Sequence, residues 1–317
     1  MADVRVGIVS WNTADLLDRC LAALPAALAG LDAEVVVVDN ASSDGSADVA
    51  AGHAGVRVIR NGANVGYARG MNQALAGTAA PVLVALNPDT EPGPDSLATL
   101  VQRLQGDSTL GLVAPRLLYS DGSDQHCVYR FPSPALSVAV AFAPRRWQER
   151  GLGSRWWLEG FSDYRRSVDV DWAIGAVHVI RAAALRGRKP YSERWFMYVE
   201  DLELCWWLAQ EGWRRRLEAE VAIPHVGNAS GSQQWGDRRT ARWLEATYDW
   251  YRLTRGRAAM SLWGVVNIAG LVWFATRQAV VWSGHPDRRA DARTQGRWAL
   301  SLLFLHTRIL VLGPRTR

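Results

Sequence analysis

Short apolar runs alternate with helical patterns over the first 117 residues of the chain. The runs are rich in valine and isoleucine and span four to seven residues, which is typical of buried strands. The segments between them carry apolar residues every three or four positions, as amphipathic helices do. This alternation predicts a mostly parallel sheet flanked by helices. Strands are predicted at residues 4–10, 34–40, 56–59, 81–87 and 110–115, and helices at residues 14–28, 67–76 and 94–104.

Beyond this region the pattern changes twice. Residues 118–168 carry no clear period, and from residue 238 onward the chain is helical throughout. We therefore expect two domains, an α/β domain over residues 1–237 and an α-helical C-terminal extension over residues 238–317. Later strands are predicted at residues 168–172, 175–181 and 220–226, a further helix near Glu200, and the C-terminal helices at residues 238–255, 258–283 and 293–312.

One segment of the extension, residues 258–276, is uncharged for nineteen positions. That is close to the length of a membrane-spanning helix. Asn267 and two glycines count against a span, and arginines on both sides leave its orientation undefined. We therefore favour a helix that lies on a membrane surface or packs in a homo-oligomer, with a crossing helix as the alternative. The tryptophans Trp263, Trp273 and Trp282 suit an interface.

Composition narrows the class of protein. The chain has 317 residues, 49% of them hydrophobic, which is enough for one large domain and an appendage. Its three cysteines are odd in number and far apart, which suits neither a disulfide framework nor a zinc site. The N-terminal segment MADVRVGIVSW lacks the apolar core of a signal peptide. We expect a cytoplasmic protein, peripheral at the inner face of the cell membrane if the extension contacts lipid.

The chain is basic, with a formal charge of +5 and an isoelectric point of about 9.4. Its arginines cluster in three places, which are either solvated faces or contacts for anionic lipid or phosphate. No recognised nucleic-acid-binding motif accompanies the charge, so we expect no nucleic-acid partner. The clusters are Arg145, Arg146, Arg150 and Arg155, then Arg214, Arg215 and Arg216, then Arg238, Arg239 and Arg242.

Polar residues follow three predicted strands at their carboxyl ends, where parallel sheets bind ligands. The run VVVVDNASSDGS leads into Asp39 and Asn40, which we interpret as ligand contacts, whereas its later residues indicate a turn that caps a helix. The loop NGANVGYARGMN places Gly66 at a helix start suited to phosphate, although this glycine pattern alone is weak evidence. The run LVALNPDTEPG presents Asp89, either as a ligand for a hard cation or in a simple turn.

Three carboxylates open a helix in the run WFMYVEDLELCWWL. Acids are common in first turns because they complement the helix dipole, and this is the simpler explanation. Helical spacing places Asp201 on one face with Leu204, Cys205 and Leu208, so this side chain should point inward. A carboxylate held against apolar walls can also serve as a base, which is the second explanation.

Taken together and in order, these motifs form a specific pattern. The chain resembles the family 2 glycosyltransferases of the GT-A fold, and among them the bacterial rhamnosyltransferases. The resemblance implies a Rossmann-like sheet and the inverting transfer of a sugar from a nucleotide diphosphate sugar. It covers about residues 4–231 and rests on VDNASSDGS, NVGYARGMN, LNPDTEP, DWAIGAVHVIR, FMYVEDLELCWWLAQEGW and HVGNASGS.

The resemblance implies a role for each matching position. Asp39 would contact the donor nucleotide, and Asp89 would hold a divalent cation, Mg²⁺ or Mn²⁺. His225 would complete the metal site or remain an ordinary strand-end histidine. Asn87 departs from the usual Asp-x-Asp motif, which leaves the strength of metal dependence open. Asp201 would be the general base for the acceptor hydroxyl, Glu200 would orient it or contact the acceptor, and further donor contacts would come from Ser10, Asn12, Asn40, Gly66, Arg69 and Asn72.

Similarity to rhamnosyltransferases implies dTDP-rhamnose as the donor, with UDP and GDP sugars as alternatives. The basic clusters and apolar C-terminal helices fit a glycan or polyprenyl-diphosphate-linked acceptor in cell-envelope polysaccharide synthesis better than a soluble one. A nucleotidyltransferase is disfavoured because SWNTADLL stands where its Gly-rich basic loop would be. A non-catalytic binding protein of the same fold is the other alternative, and the presence of both Asp89 and Asp201 argues against it.

Overall fold

The computed structural model describes residues 2–142, 164–227 and 239–315. Contacts between residues divide the chain into two compact units, and each is considered separately. Among the described residues, the first unit holds 2–129, 164–227 and 239, and the second holds 130–142 and 240–315.

The first unit is built on an eight-stranded sheet and a two-stranded sheet. The apolar runs of the sequence form its central strands, two of which are buried along their whole length. The large sheet contains β1 (Val4–Ser10), β2 (Ala33–Asp39), β3 (Val56–Arg60), β4 (Val82–Leu86), β5 (Leu110–Leu118), β7 (Val168–Asp169), β9 (Val177–Arg181) and β10 (Arg214–Pro224), and the small one pairs β6 (Val128–Tyr129) with β8 (Trp172–Ala173).

The strand order across the large sheet is β3-β2-β1-β4-β9-β5-β10-β7. Strands β3, β2, β1 and β4 are parallel, β5 is parallel to β10, and β9 is antiparallel to both β4 and β5. Strands β1, β2, β4, β5 and β10 therefore all end at one edge of the sheet, and β9 begins there. The mostly parallel sheet flanked by helices, predicted from the sequence, is confirmed.

Helices cover this sheet with their apolar sides. The closest approach is at Gly7 in β1, where a Cβ would lie 2.9 Å from side-chain atoms of Ala74 and Leu75. The α-helices within the described residues are α1 (Ala14–Ala27), α2 (Ser46–Gly52), α3 (Tyr67–Leu75), α4 (Ser96–Gly106), α5 (Pro134–Phe142), α6 (Glu200–Gln210), α7 (Arg239–Gly284) and α8 (Arg289–Leu312).

The second unit consists of α5, α8 and α7 after its first residue. Helix α7 is interrupted at Gly256, whose φ of 85° and ψ of 169° are not helical, at the break expected from the sequence. The core of the second unit is aromatic. The Tyr251 and Trp263 rings stack at 5.2 Å, and the Tyr248 hydroxyl lies 2.7 Å from His306 Nδ1. The long helical extension predicted from the sequence is confirmed. Its expected boundary after residue 237 lies outside the described residues and stays a prediction.

Three elements differ from the sequence-based prediction. Strand β10 begins at Arg214, well before the expected residue 220, because Arg214 is neutralised by Asp107 and Asp169 from distant segments. Local hydrophobicity does not show such pairing. Strand β6 and helix α5 lie in the region that carried no clear period, and α5 belongs to the second unit.

Candidate active site

One edge of the large sheet gathers the polar residues predicted at strand ends. Asp39 ends β2 and pairs in register with Ser10 at the end of β1. Asn87 directly follows β4, and His225 directly follows β10. The segment leading into β9 joins them, because the Asn87 N–H donates to the Ala176 carbonyl at 2.8 Å. Sheet topology thus makes neighbours of residues that lie far apart in sequence.

Asp39 is buried, and only half of its carboxylate is used by the surrounding loop. Its Oδ2 accepts a hydrogen bond from the Ser42 N–H at 3.1 Å. Its buried Oδ1 has no hydrogen-bond partner in the part of the chain that the structure describes. A buried acceptor without a partner is costly, and a hydroxyl or N–H of a ligand would satisfy it. This geometry suits a nucleotide contact, and that role stays a prediction.

The other candidates in the loops that follow β1 and β2 form hydrogen bonds within the protein. Ser10, Asn12 and Asn40 each make side-chain hydrogen bonds of 2.8–3.3 Å within or beside the loops around Asp39. They hold the shape of the loops. Any contact between them and a donor would be in addition to these bonds.

The NVGYARGMN loop packs against the segment that leads into α6. Gly66 has a φ of +88°, and a Cβ there would collide with the Phe196 carbonyl oxygen, which accepts the Tyr67 N–H at 2.9 Å. This contact gives Gly66 a packing role. Exposed Arg69 lies 3.4 Å from Glu193 in an ion pair.

Asn72 is engaged in hydrogen bonds within the protein, and its role as a donor contact stays a prediction. It is buried, and its amide donates to the Tyr191 carbonyl at 2.8 Å and accepts the Tyr191 N–H at 3.1 Å. A second bond joins the amide nitrogen to Glu193. The side chain therefore braces the main chain before α6, and the repeating Asn and Gly pattern of the loop gave no hint of this use.

Asp89 and His225, the predicted metal ligands, lie in contact at the ends of β4 and β10. Both are buried, and His225 Nε2 lies 3.3 Å from Asp89 Oδ1. His225 Nδ1 lies within hydrogen-bond distance, 2.7 Å, of Gln125 Oε1, a contact that orients the ring so that Nε2 faces Asp89. Asp89 Oδ2 accepts the Gly227 N–H at 3.1 Å.

This pair fits a divalent cation. Nε2 faces Asp89 Oδ1 at 3.3 Å and has no hydrogen-bond partner among the described residues, so a cation between the two atoms would satisfy it. Carboxylate oxygen and imidazole nitrogen are both ligands of transition-metal cations. No group of three or more His, Cys, Asp or Glu side chains suited to a metal occurs within the described ranges. The remaining ligands would therefore be donor oxygens or water. The main-chain carbonyl of Asn87 accepts the Thr90 hydroxyl at 2.7 Å and shapes the turn, and the role of the Asn87 side chain stays a prediction.

A strained turn precedes the acidic start of α6. Tyr198 and Val199 both have a φ of 72°, which is costly for residues with a Cβ and most of all for a β-branched one. The turn sets the first helical residues, Glu200 and Asp201, towards the lead-in of β9. Strain of this kind concentrates at functional sites.

Asp201 is partly exposed, whereas its neighbours Glu200 and Leu202 are buried. Its Oδ2 accepts the Gly175 N–H at 3.0 Å, and its Oδ1 accepts the Leu202 N–H at 2.7 Å. Burial raises the pKa of this carboxyl from 3.8 to about 6, although both hydrogen bonds act to lower it. Asp201 is thus ionised at neutral pH and open to a proton donor, as a general base must be.

Glu200 differs sharply from its neighbour. Burial, and next the charge of Asp201, raise the pKa of Glu200 well above its usual value. Its buried Oε2 also lacks a hydrogen-bond partner within the described part of the chain. Both oxygens of Asp201 accept main-chain N–H groups, whereas Glu200 keeps one buried oxygen without a partner among the described residues.

Tyr67 and Gly175 connect the two halves of the site, and the sequence analysis gave neither a role. The Tyr67 hydroxyl donates to the Gly175 carbonyl at 2.9 Å, and the Gly175 N–H holds Asp201. Burial raises the pKa of Tyr67 well above its usual value, and the carboxylates of Glu200, Asp201 and Asp89 add to this effect. Both residues lie in motifs that carried the resemblance, whereas Gln125 lies in the segment without a clear period.

Two of the three arginines clustered on β10 form ion pairs. Arg214 pairs with Asp107 at 2.9 Å and Asp169 at 2.7 Å, and Arg216 pairs with Glu218 at 3.1 Å. These contacts weaken the interpretation of this cluster as a lipid or phosphate contact. Arg145, Arg146, Arg150, Arg155 and Arg238 lie outside the described residues, as do residues 228–232 of the HVGNASGS motif.

Comparison with known proteins adds independent information. The model of the family described as "Glycosyl transferase family 2" matches residues 5–168. The N-acetylglucosaminyl-diphospho-decaprenol L-rhamnosyltransferase of Mycobacterium tuberculosis, in strains CDC 1551 / Oshkosh and ATCC 25618 / H37Rv, is 29% identical over 227 residues. That alignment covers 67% of this chain and 73% of the relative.

Among solved structures, the chain is similar in fold to the mannosyltransferase PcManGT from Pyrobaculum calidifontis in complex with GDP-Man and Mn²⁺. The TM-score is 0.58 at 18% identity, covering 99% of this chain and 88% of that one. At this identity the likeness shows a shared fold.

Proposed function

Because the chain belongs to glycosyl transferase family 2, we propose that it is an inverting, metal-dependent glycosyltransferase. Its donor is dTDP-L-rhamnose, and its acceptor is a hydroxyl of a polyprenyl-diphosphate-linked saccharide or glycan in cell-envelope polysaccharide synthesis. Similarity to an L-rhamnosyltransferase that acts on a lipid diphosphate supports these substrates. One observation carries the proposal: the Asp89–His225 pair and the accessible carboxylate of Asp201 lie at the same edge of the sheet.

The chemistry needs a base, because an alcohol is a poor nucleophile until its proton can leave. Asp201 takes that proton from the acceptor hydroxyl. The Gly175 and Leu202 N–H groups hold its two oxygens in place, so the carboxylate is oriented before substrate arrives. The base and the leaving diphosphate lie on opposite sides of the anomeric carbon, which gives a single displacement with inversion.

Asp89 and His225 would hold the divalent cation, with Gln125 orienting the histidine ring. When bound, the cation supplies positive charge to the diphosphate leaving group. Asp39 binds the nucleotide through its unpartnered Oδ1, two strands along the sheet from β4. Mg²⁺ and Mn²⁺ both accept such oxygen-rich surroundings.

The second unit attaches the enzyme to the membrane surface, where a polyprenyl acceptor is found. By length and composition alone, the α7 helix could cross a membrane, and little of its most apolar stretch is buried. Exposed apolar side chains continue on α8. Large apolar surface of this kind marks contact with lipid or protein. The exposed residues include Val272, Trp282, Leu300, Phe304, Val311 and Leu312.

Transfer with defined substrates tests the proposal. The full chain is incubated with dTDP-L-rhamnose and N-acetylglucosaminyl diphosphate carrying a short polyprenyl chain, with Mg²⁺, Mn²⁺ or EDTA. We expect a rhamnosylated product in the metal-containing samples, with NMR showing inverted anomeric configuration. UDP-glucose and GDP-mannose serve as donor controls. Absence of any transfer with all three donors would contradict the proposal.

A further inference from the structure

A cavity of about 420 Å³ opens beside the Asp89–His225 pair. Its lining includes His225, Gln125, Tyr119 and His126. Its size is that of a small-molecule site. Apart from His225 and Gln125, the chemistry described so far gives its lining residues no part.

The position of the cavity separates it from the nucleotide site. Asp39 and Ser10 lie at the ends of β2 and β1, whereas Tyr119 and His225 follow β5 and β10 on the far side of β4 and β9. Ile174, which also lines the cavity, immediately precedes the glycine whose N–H holds Asp201. The cavity is therefore lined by His225 of the metal pair and lies one residue along the chain from the glycine that holds Asp201, whereas neither Asp39 nor Ser10 lines it.

The lining has the chemistry of a saccharide site. Tyr119 exposes 44% of its surface, and its main chain is fixed by hydrogen bonds of 2.9 Å with Ser123 and Gly122. Deeper in, the Tyr129 ring stacks on Trp172 at 4.8 Å with 22° between the planes. Such rigid aromatic rings cover the C–H faces of sugars, and the cavity also offers the planar polar side chains of Gln125 and His126.

We propose that this cavity binds the saccharide ring of the acceptor, with Tyr119 as its stacking surface. The proposal rests on the glycosyltransferase function and adds to it the location and the recognition of the acceptor sugar. A ring placed here presents a hydroxyl towards Asp201, while the donor sugar remains on the diphosphate near Asp89. Tyr119 thus contributes to acceptor affinity and takes no part in donor binding.

Acceptor kinetics of Tyr119→Ala test the proposal. With N-acetylglucosaminyl diphosphate on a short polyprenyl chain as the probe, we expect the acceptor KM to rise roughly three- to tenfold, the range of one aromatic contact. The KM for dTDP-L-rhamnose should not change. Tyr119→Phe keeps the ring and should restore the acceptor KM to within about twofold. An unchanged acceptor KM, or a rise in the donor KM instead, would overturn the proposal.

A binding measurement decides the question even if the donor has been misassigned. Saturation-transfer NMR on the full chain with the acceptor probe alone should show signals from the sugar ring, weaker in His126→Ala and Tyr119→Ala. His53→Ala is the matched control, because His53 ends α2 at the opposite edge of the sheet and pairs with Asp18. Sugar signals that are absent in the wild type, or equal in all variants, refute the cavity as the acceptor site. The transfer assay tests the proposed glycosyltransferase activity independently of this result.

Discussion

Replacement of Asp201 by asparagine tests the central chemical assignment. Asparagine keeps the size of the side chain and can still accept one of the two main-chain hydrogen bonds from Gly175 and Leu202. It cannot take a proton from an alcohol. We expect kcat to fall roughly 100- to 10,000-fold, the usual contribution of a general base. Affinity for the nucleotide sugar, measured by calorimetry, should stay at the wild-type level.

The pKa of Asp201 gives this prediction a pH signature. Because burial raises that pKa to about 6, the wild-type kcat/KM should rise as pH increases through 6 and then level off. Asp201→Asn should lose this limb. Transfer rates of both proteins between about pH 4 and about pH 8, roughly two units either side of the transition, measure the difference.

Asp201→Asn should raise the free energy of unfolding although it lowers kcat. The folded pKa lies above the ordinary value of 3.8, so the folded state binds more protons between pH 3.8 and about 6, and the free energy of unfolding falls as pH rises through that window. The shift is worth about 3 kcal/mol, and asparagine loses one hydrogen bond worth about 1 kcal/mol. Asp201→Asn should therefore be more stable than the wild type at pH 8 by roughly 2 kcal/mol in urea titration.

Asp48→Asn is the matched control, since Asp48 is an exposed carboxylate in the first turn of α2, paired with Arg60 at 2.7 Å. It should leave kcat and its pH profile unchanged. If Asp201→Asn kept more than about a tenth of the wild-type kcat, Asp201 would not be the base, because that loss is below the contribution expected of one.

Three further changes probe other parts of the molecule. Asp39→Asn should weaken dTDP-L-rhamnose binding roughly tenfold by calorimetry, because a charge-assisted hydrogen bond is lost, and the acceptor KM should be unaffected. Gly66→Ala should lower the free energy of unfolding by at least roughly 1–3 kcal/mol in urea titration, because its φ is +88° and the new methyl meets the Phe196 carbonyl; wild-type stability would contradict this contact. Leu300→Asp combined with Phe304→Asp should reduce flotation of the full chain with phosphatidylglycerol vesicles, since both side chains are more than half exposed. A smaller oligomer with unchanged flotation would instead assign this surface to self-association.

The fold could be predicted where the signal is local. Strands β1 and β4 are buried on both faces, so their sequences are continuous apolar runs. The reversal of β9 between β4 and β5 has no such signal, because a buried strand has the same sequence pattern in either direction. The start of β10 at Arg214 was not predicted for a related reason, because its ion-pair partners Asp107 and Asp169 come from other segments.

The sequence identified candidate residues whose side chains would contact a ligand. It did not identify residues whose side chains support those candidates or hold the main chain in place. Asp89 and His225 were identified through the resemblance, and the structure brings them within 3.3 Å. Gln125, which orients the histidine, lies in a stretch with no recognisable pattern. Asn72 shows the converse, since its place in a motif indicated a ligand contact but its amide is occupied by Tyr191. Motif membership therefore does not distinguish a binding residue from a bracing one.

The acids at the start of α6 show how an acid that supports the structure differs from a candidate catalytic one. Glu203 is neutralised by Arg188 at 2.8 Å, and Arg188 in turn lies over the Trp207 ring, so this acid belongs to the structure. Asp201 has no ion pair among the described residues, although burial penalises its charge. A helix-start acid needs only N–H groups of its own helix, whereas Asp201 also takes one from Gly175, in a different element. A partly buried carboxylate without an ion pair among the described residues, placed behind a strained turn, lowers stability. That cost is consistent with selection for the proton transfer proposed for it.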